Sequence, residues 1–544
     1  MTIKRLILGV LTLFVVILVG SALLKSFGEP QITNQLELYQ TNLLLSATEP
    51  VTSDQAEPEV SALRKAILGG DPLKTALEQY QTVRQTAQAD LETLRSRLNQ
   101  APATLADPSP RPIPARTTAS TAERLQPLIQ QQETLIDQLD LGIGTIQAQQ
   151  GNAETAVKTW TGLIQRRSEP VMGEAPPLES VPPLESTPAA ISNPSTPHDI
   201  VSTAQTLIGI WSEPARILPD AESQLQQHLD GWFRYVGLNR LYQLQQRTDQ
   251  LTTLQADAQQ LAEKTLVKLA LVGTVPLLGS VLGAGLLISL VVQRVVQGKQ
   301  AILALNGDAA WDTPWDWETI WQVLIVGFFF AGQVVAPLLV GALGVSFSAF
   351  GTRAKAVYAL TYYLLMAGSG LAVLYWSLKP FFPLPEGWFR FKWLSKWPLW
   401  GIGGYMTALP LMIGVSLLNQ QIWQRQGGSN PLLQIVLDEG DPIALGIFLF
   451  TAAVAAPIFE ETLFRGFLLP SLTRYVPVNG AIALSSLLFA VAHLSVSEVL
   501  PLTMLGAVLG IVYTRSRNLL APIFLHSLWN SITMIGLFTL GSSN

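Results

Sequence analysis

The chain has 544 residues, 49% of them hydrophobic and only 13% charged, with a mean hydropathy of +0.32, which is too apolar for an ordinary soluble protein of this size. Its net charge of -5 shows no basic surplus and gives no reason to expect nucleic acid as a partner. The absence of cysteine excludes thiol nucleophiles, disulfides and thiolate-bound metals together.

In chain order, Lys4 and Arg5 precede an apolar run over residues 6–24. That length suits a membrane anchor better than the shorter core of a cleaved signal, and no A-x-A site follows. Residues 1–27 are therefore expected to be an uncleaved N-terminal anchor, with a cleaved signal as the alternative. From 28 to 264 the composition turns polar and rich in Gln, Thr and Ala. Leu91, Leu94 and Leu98, then Leu244, Leu251, Leu254 and Leu261, recur at helical intervals and predict amphipathic helices. Proline-rich stretches at 101–116 and 174–198 read as extended linkers between them. The segment 151–165 is faintly similar to one half of a tetratricopeptide repeat, but no second copy is evident and a plain helical hairpin is the simpler expectation.

Beyond the anchor, eight apolar spans are expected near 266–292, 320–345, 356–378, 397–418, 443–469, 480–493, 499–513 and 519–540. The predicted fold class is an all-α polytopic membrane protein, with an extracytoplasmic helical domain at 28–264, transmembrane helices at 265–440 and a catalytic segment at 441–544. If Lys4 and Arg5 stay in the cytoplasm, parity places Arg294, Lys299, Lys379, Arg390, Lys392, Lys396, Arg474, Arg515 and Arg517 on the same side, leaving chiefly Arg353, Lys355 and Arg425 opposite. The aromatic run from Trp388 to Trp393 reads as an interfacial belt, and Gly279 with Gly283 as a close-packing pair.

The chemistry concentrates near the C-terminus. Adjacent carboxylates Glu460 and Glu461 in an apolar run are expensive to bury ionised, so each needs a partner, a shared proton or water. Arg465 lies four residues beyond Glu461 and can pair with it along one helical face. Glu460 points about 100° away and is free for another task. His493 follows in LLFAVAHLS, and His526 with Asn530, again four apart, in IFLHSLWNSI. A carboxylate beside a neutral imidazole can activate water, while a second imidazole and an amide can donate to a developing oxyanion. His198 and His228 have no evident partner and read as surface residues.

These motifs, EExxxR at 460–465, FxxxH at 489–493 and HxxxN at 526–530, resemble the CPBP family, also called the Abi or CAAX-protease family, with no departure at a defining position. The resemblance covers about 441–540. It implies that Glu460 and His493 activate water, that His526 and Asn530 form an oxyanion hole, and that Glu461 and Arg465 support the site. Members of the family have been described both as metalloproteases and as metal-independent glutamate proteases. Zinc held by Glu460, His493 and His526 is the alternative, but there is no HExxH and Asn530 is a poor zinc ligand, so a metal-independent site with no cofactor is favoured.

The expected function is an intramembrane endopeptidase acting on a membrane-associated peptide or protein, with the lipid bilayer as its surroundings. A non-proteolytic scaffold binding a protein partner through 28–264 is the second reading. A proton-coupled transporter is the third, weakened because the ionisable residues cluster in the last fifth rather than in two matching halves. Isolated, a Glu-Arg pair or one histidine would serve helix packing just as well; the order of all three motifs is what argues for chemistry.

Overall fold

The fold is seen in a computed structural model that describes residues 2–27, 33–48, 67–100, 121–168, 197–342, 351–423, 427–428 and 441–541. Among the described residues there is no strand, and the chain is an all-α polytopic membrane protein. The linker at 101–116 and nearly all of that at 174–198 lie outside these residues. The chain divides into two compact units, Asn34–Ala270 and Met1–Thr33 with Leu271–Ser542.

After α1 (Ile3–Ser26) come α2 (Thr33–Ser46), α3 (Pro72–Gln100), α4 (Thr121–Gln149), α5 (Ala153–Ser168), α6 (Pro197–Trp211), α7 (Ala221–His228), α8 (Gly231–Leu244) and the 50-residue α9 (Thr248–Gln297). In the first unit, α4 is buried on every side from Ile136 to Ala148. A helix so enclosed has to satisfy its own polar groups. Asp137 meets Arg167 at 2.5 Å and Arg166 at 3.2 Å, and Asp140 meets Arg84 of α3. Burial still holds the Asp137 carboxyl above the usual carboxylate range, against the pull of Arg167 and Arg166. Neighbouring aromatics come very close to the α4 backbone: a Cβ on Gly144 would lie 2.3 Å from the indole of Trp160, whose N–H donates to the Leu141 carbonyl at 3.2 Å. The segment 151–165 supplies the turn and second arm of a helical hairpin, α5 packing on α4 across a turn at Gly151, where φ is +85°. His198 is exposed and His228 half-buried, both away from the C-terminal motifs in the chain.

The second unit adds α10 (Trp317–Val340), α11 (Thr352–Leu378), α12 (Trp397–Trp423), α13 (Pro442–Leu472), α14 (Val478–Val491), α15 (Val496–Ser516) and α16 (Leu520–Gly541) to α1 and the end of α9. Eight helices among the described residues are long and apolar enough to cross a membrane: α1, α9 to α13, α15 and α16. The span expected at 480–493 is the exception. Its helix, α14, has 14 residues, so it reaches only about 21 Å and is short for a bilayer core. It packs along α15 instead.

Helix α1 is part of this unit's packing. Trp321 donates its indole N–H to Thr12 at 2.7 Å, and Lys4 and Arg5 both pair with Glu318. The glycine pair on α9 faces α12, where a Cβ on Gly283 would fall 1.8 Å from the Met406 carbonyl oxygen. The aromatic run departs from expectation by splitting in two. Trp388 is buried against Trp315, at 4.3 Å between centroids, and its N–H donates to the Asp312 carbonyl at 2.8 Å. Trp393 stays 71% exposed. A tryptophan whose N–H finds a carbonyl partner can be buried, so only the second half of the run is available as an interfacial belt.

Candidate active site

The glutamate pair sits mid-way along α13, which is not a uniform α-helix. Residues Thr451–Ala455 and Thr462–Leu468 form wider π-type turns on either side of the α-helical Ala456–Glu461. In the first of them the N–H of Ala456 bonds back five residues to the Thr451 carbonyl. The same pattern would ask residue 457 to donate to the Ala452 carbonyl, but Pro457 has no N–H. Asn530 of α16 supplies the donor, its Nδ2 lying 2.6 Å from the Ala452 oxygen. A buried carbonyl is thereby satisfied by one amide N–H, and the second N–H of that amide is not used in this bond.

Glu461 is fully buried and its Oε1 accepts from Arg465 Nη1 at 2.9 Å. The same oxygen lies 2.9 Å from His526 Nδ1. Arg465, also fully buried, donates a second bond to the Gly506 carbonyl of α15 at 3.2 Å. That approach needs a glycine, because a Cβ on Gly506 would meet Ser486 at 2.9 Å and Arg465 at 3.2 Å. An oxygen that accepts from the guanidinium is an acceptor toward the imidazole as well, so His526 Nδ1 carries the proton that points at it. The ring's Nε2 is the atom left for chemistry.

His493 lies just past the end of α14, in the turn before α15, rather than inside a helix as expected. Leu494 adopts a left-handed φ of +59°, which ends the helix. The His493 Nδ1 then lies 2.9 Å from the Phe489 carbonyl, one of the last-turn oxygens without a helical donor. A carbonyl only accepts, so this nitrogen carries the proton and Nε2 presents a lone pair. The turn itself is fastened by Ser495 and Ser497, whose hydroxyls donate to the carbonyls of Gly427 and Gly428 at 3.1 Å and 2.6 Å, and by the Val496 N–H on Ser26 at 3.1 Å.

Phe489 holds these groups around one ring. The Arg465 guanidinium carbon lies 4.5 Å from its centroid, the His493 ring 4.9 Å and the His526 ring 5.9 Å, both histidines edge-on. Glu460 is half-buried, and the hydroxyl of Tyr363 on α11 donates to its Oε1 at 3.1 Å. The structure thus unites Glu461, Arg465 and His526 in one hydrogen-bonded group, sets His493 beside the same phenylalanine, and gives Glu460 and Asn530 separate partners. Among the described residues no three of His, Cys, Asp and Glu are grouped so as to hold a metal ion.

Residues 442–532 match the family described as type II CAAX prenyl endopeptidase Rce1-like. The matched segment contains Glu460, Glu461, Arg465, Phe489, His493, His526 and Asn530. The chain is 26% identical over 137 residues to the Bacillus subtilis protein named "Putative membrane peptidase YdiL", covering 25% of this chain and 55% of that one. It is 27% identical over 143 residues to the Staphylococcus aureus membrane-embedded CAAX protease MroQ, covering 25% and 56%. The chain thus spans about half the length of these curated relatives. No solved structure matches it.

Sequence reasoning missed two contributors to the Rce1-like segment's polar groups. Gly506 gave no signal beyond being a glycine in an apolar span. Tyr363 lies outside the matched residues altogether, one of several aromatics in its helix, and only the packing of α11 on α13 reveals its partner.

Proposed function

We propose that the protein is an intramembrane endopeptidase that hydrolyses a peptide bond of a membrane-associated polypeptide, using water activated by Glu460 and His493. The observation that carries this reading is the convergence on Phe489 of His493, His526 and Arg465, within a segment of the Rce1-like family. His493, with its proton fixed on Nδ1, offers Nε2 as a base. Glu460, with one oxygen held by Tyr363, offers the other to the same water. As water attacks the carbonyl carbon its proton passes to His493 Nε2 and negative charge builds on the carbonyl oxygen, which needs donors already in place; collapse then breaks the C–N bond as that proton is delivered to the leaving amine.

His526 can serve as such a donor only as the imidazolium. In the neutral ring the single proton is committed to Glu461, and Nε2 could only accept. The amide N–H of Asn530 not spent on Ala452 is the companion donor. Arg465 in this reading holds the Glu461 carboxylate in place against His526. No residue specifies a prenyl group, so the substrate class goes no further than a membrane-associated polypeptide, and the hydrolysis needs no cofactor.

In orientation, the reading keeps Lys4 and Arg5 in the cytoplasm and the unit Asn34–Ala270 outside it, supported by the basic residues around Arg294 and Lys392 and by Arg515, which donates to the Leu303 carbonyl in the loop that follows Arg294. That unit has its own apolar core around Tyr80, Trp160 and Phe233. A domain with an independent core favours a role in presenting substrate or binding a partner.

The test is to reconstitute the purified full chain in liposomes with candidate membrane polypeptides and to compare product termini by mass spectrometry with those made by Glu460→Gln and His493→Ala. Both variants are expected to lose about 100- to 10,000-fold in cleavage rate. Equal cleavage by all three proteins would overturn the assignment. Full rescue of a deletion phenotype by Glu460→Gln would transfer the function to partner binding.

A further inference from the structure

We propose that Tyr363, outside the Rce1-like segment, is a positioning residue for the catalytic carboxylate of Glu460; the inference rests on the peptidase reading above. Three observations combine. The Tyr363 hydroxyl donates to Glu460 Oε1 at 3.1 Å, and among the described residues it is the hydrogen-bond partner recorded for that carboxylate. The preceding residue, Tyr362, spends its hydroxyl on a backbone carbonyl instead, that of Gly332 at 3.1 Å, so the two tyrosines of one helix serve different ends. The Tyr363 ring is itself held, standing edge-on to Phe459 at 6.2 Å and 85°, immediately before the glutamate pair.

The backbone is adapted to this contact. Helix α11 comes close enough to Phe459 that a Cβ on Gly370 would lie 3.1 Å from its ring, and a Cβ on Gly327 of α10 would lie 3.1 Å from Val373 of α11. Small residues at both crossings bring the α11 backbone toward α13 and so carry the phenol to the carboxylate. The chemical consequence concerns orientation. Glu460 and Glu461 are neighbours on a helix and diverge by about 100°, so nothing in the Glu461–Arg465–His526 group can fix the Glu460 side chain. A carboxylate on a mobile side chain places its lone pairs poorly, and a misplacement of about 1 Å costs about a hundredfold in rate. By holding Oε1, Tyr363 leaves Oε2 in a defined direction for the water.

The decisive variant is Tyr363→Phe, which keeps the ring and removes only the hydroxyl. In liposomes, with a polypeptide that the wild-type protein cleaves, we expect Tyr363→Phe to lower kcat about ten- to a hundredfold with KM unchanged. Because the residue acts through Glu460, Tyr363→Phe should lose nothing more in a Glu460→Gln background. Wild-type kcat in Tyr363→Phe overturns the proposal, as does a rise in KM without a fall in kcat, or a full multiplicative loss in the double variant. A second measurement does not depend on cleavage: a double-mutant cycle on thermal unfolding of the full chain with Tyr363→Phe and Glu460→Ala, the alanine removing the acceptor. Coupling between them is expected, and strict additivity overturns the contact. If the wild-type protein cleaves nothing, the peptidase reading fails while this cycle still reports on the Tyr363–Glu460 bond.

Discussion

Glu461 and His526, 65 residues apart in the chain, are joined from Oε1 to Nδ1 at 2.9 Å, and the same carboxylate oxygen takes the Arg465 guanidinium at 2.9 Å. One carboxylate oxygen therefore serves two donors. The pairing separates the two glutamates by role more sharply than their adjacency suggests: Glu461 is committed to its neighbours, and Glu460 alone retains a carboxylate directed elsewhere.

Because Arg465 and Glu461 are both fully buried, removing Arg465 takes the guanidinium from a buried carboxylate and leaves His526 as its remaining partner. Arg465→Met is expected to destabilise the folded protein by about 3–5 kcal/mol. Thermal unfolding in detergent or nanodiscs measures it. A melting temperature equal to wild type would show that the pair contributes nothing to folding.

Gly283 is expected to tolerate no side chain, since its Cβ would fall 1.8 Å from a backbone oxygen of α12 that cannot rotate away. Gly283→Val should push α9 and α12 apart and cost about 1–3 kcal/mol as overpacking does. Gly285, on the same helix with nothing within 4 Å, provides the control. Crosslinking between cysteines placed on the two helices should fall in Gly283→Val and stay unchanged in Gly285→Ala.

The unit Asn34–Ala270 carries a pH-sensitive contact of its own. The carboxyl of Glu222 is held below the usual carboxylate range by hydrogen bonds from Arg247, at 2.5 Å, and from Tyr242, at 2.7 Å. A depressed folded-state value means the contact stabilises fully above the ordinary carboxylate value of about 4.3 and is lost as pH falls through the lower folded value. Hydrogen exchange in α7 and α8 should accordingly rise on acidification below about pH 4.3, and Glu222→Gln should remove the part of that rise due to this carboxyl. An unchanged pH response in the variant would assign the effect to another group.

The sequence alone determined the class and the ingredients. Long apolar runs without charge have to become membrane helices, because backbone polar groups in lipid are satisfied only that way. The four-residue spacings of Glu461 with Arg465 and of His526 with Asn530 are local, and a helix turns them into neighbours wherever it lies. Tertiary structure decided the partners. His526 turned to Glu461 and Asn530 to the Ala452 carbonyl, the latter because Pro457 cannot donate where the helix widens. His493 fell just outside its helix because Leu494 turned left-handed. Tyr363 reached Glu460 only through glycine-lined crossings of α10, α11 and α13. Each of these depends on contacts between segments distant in the chain, and hydrophobic periodicity, which reports only how buried a position is, carries no information about which buried group it will meet.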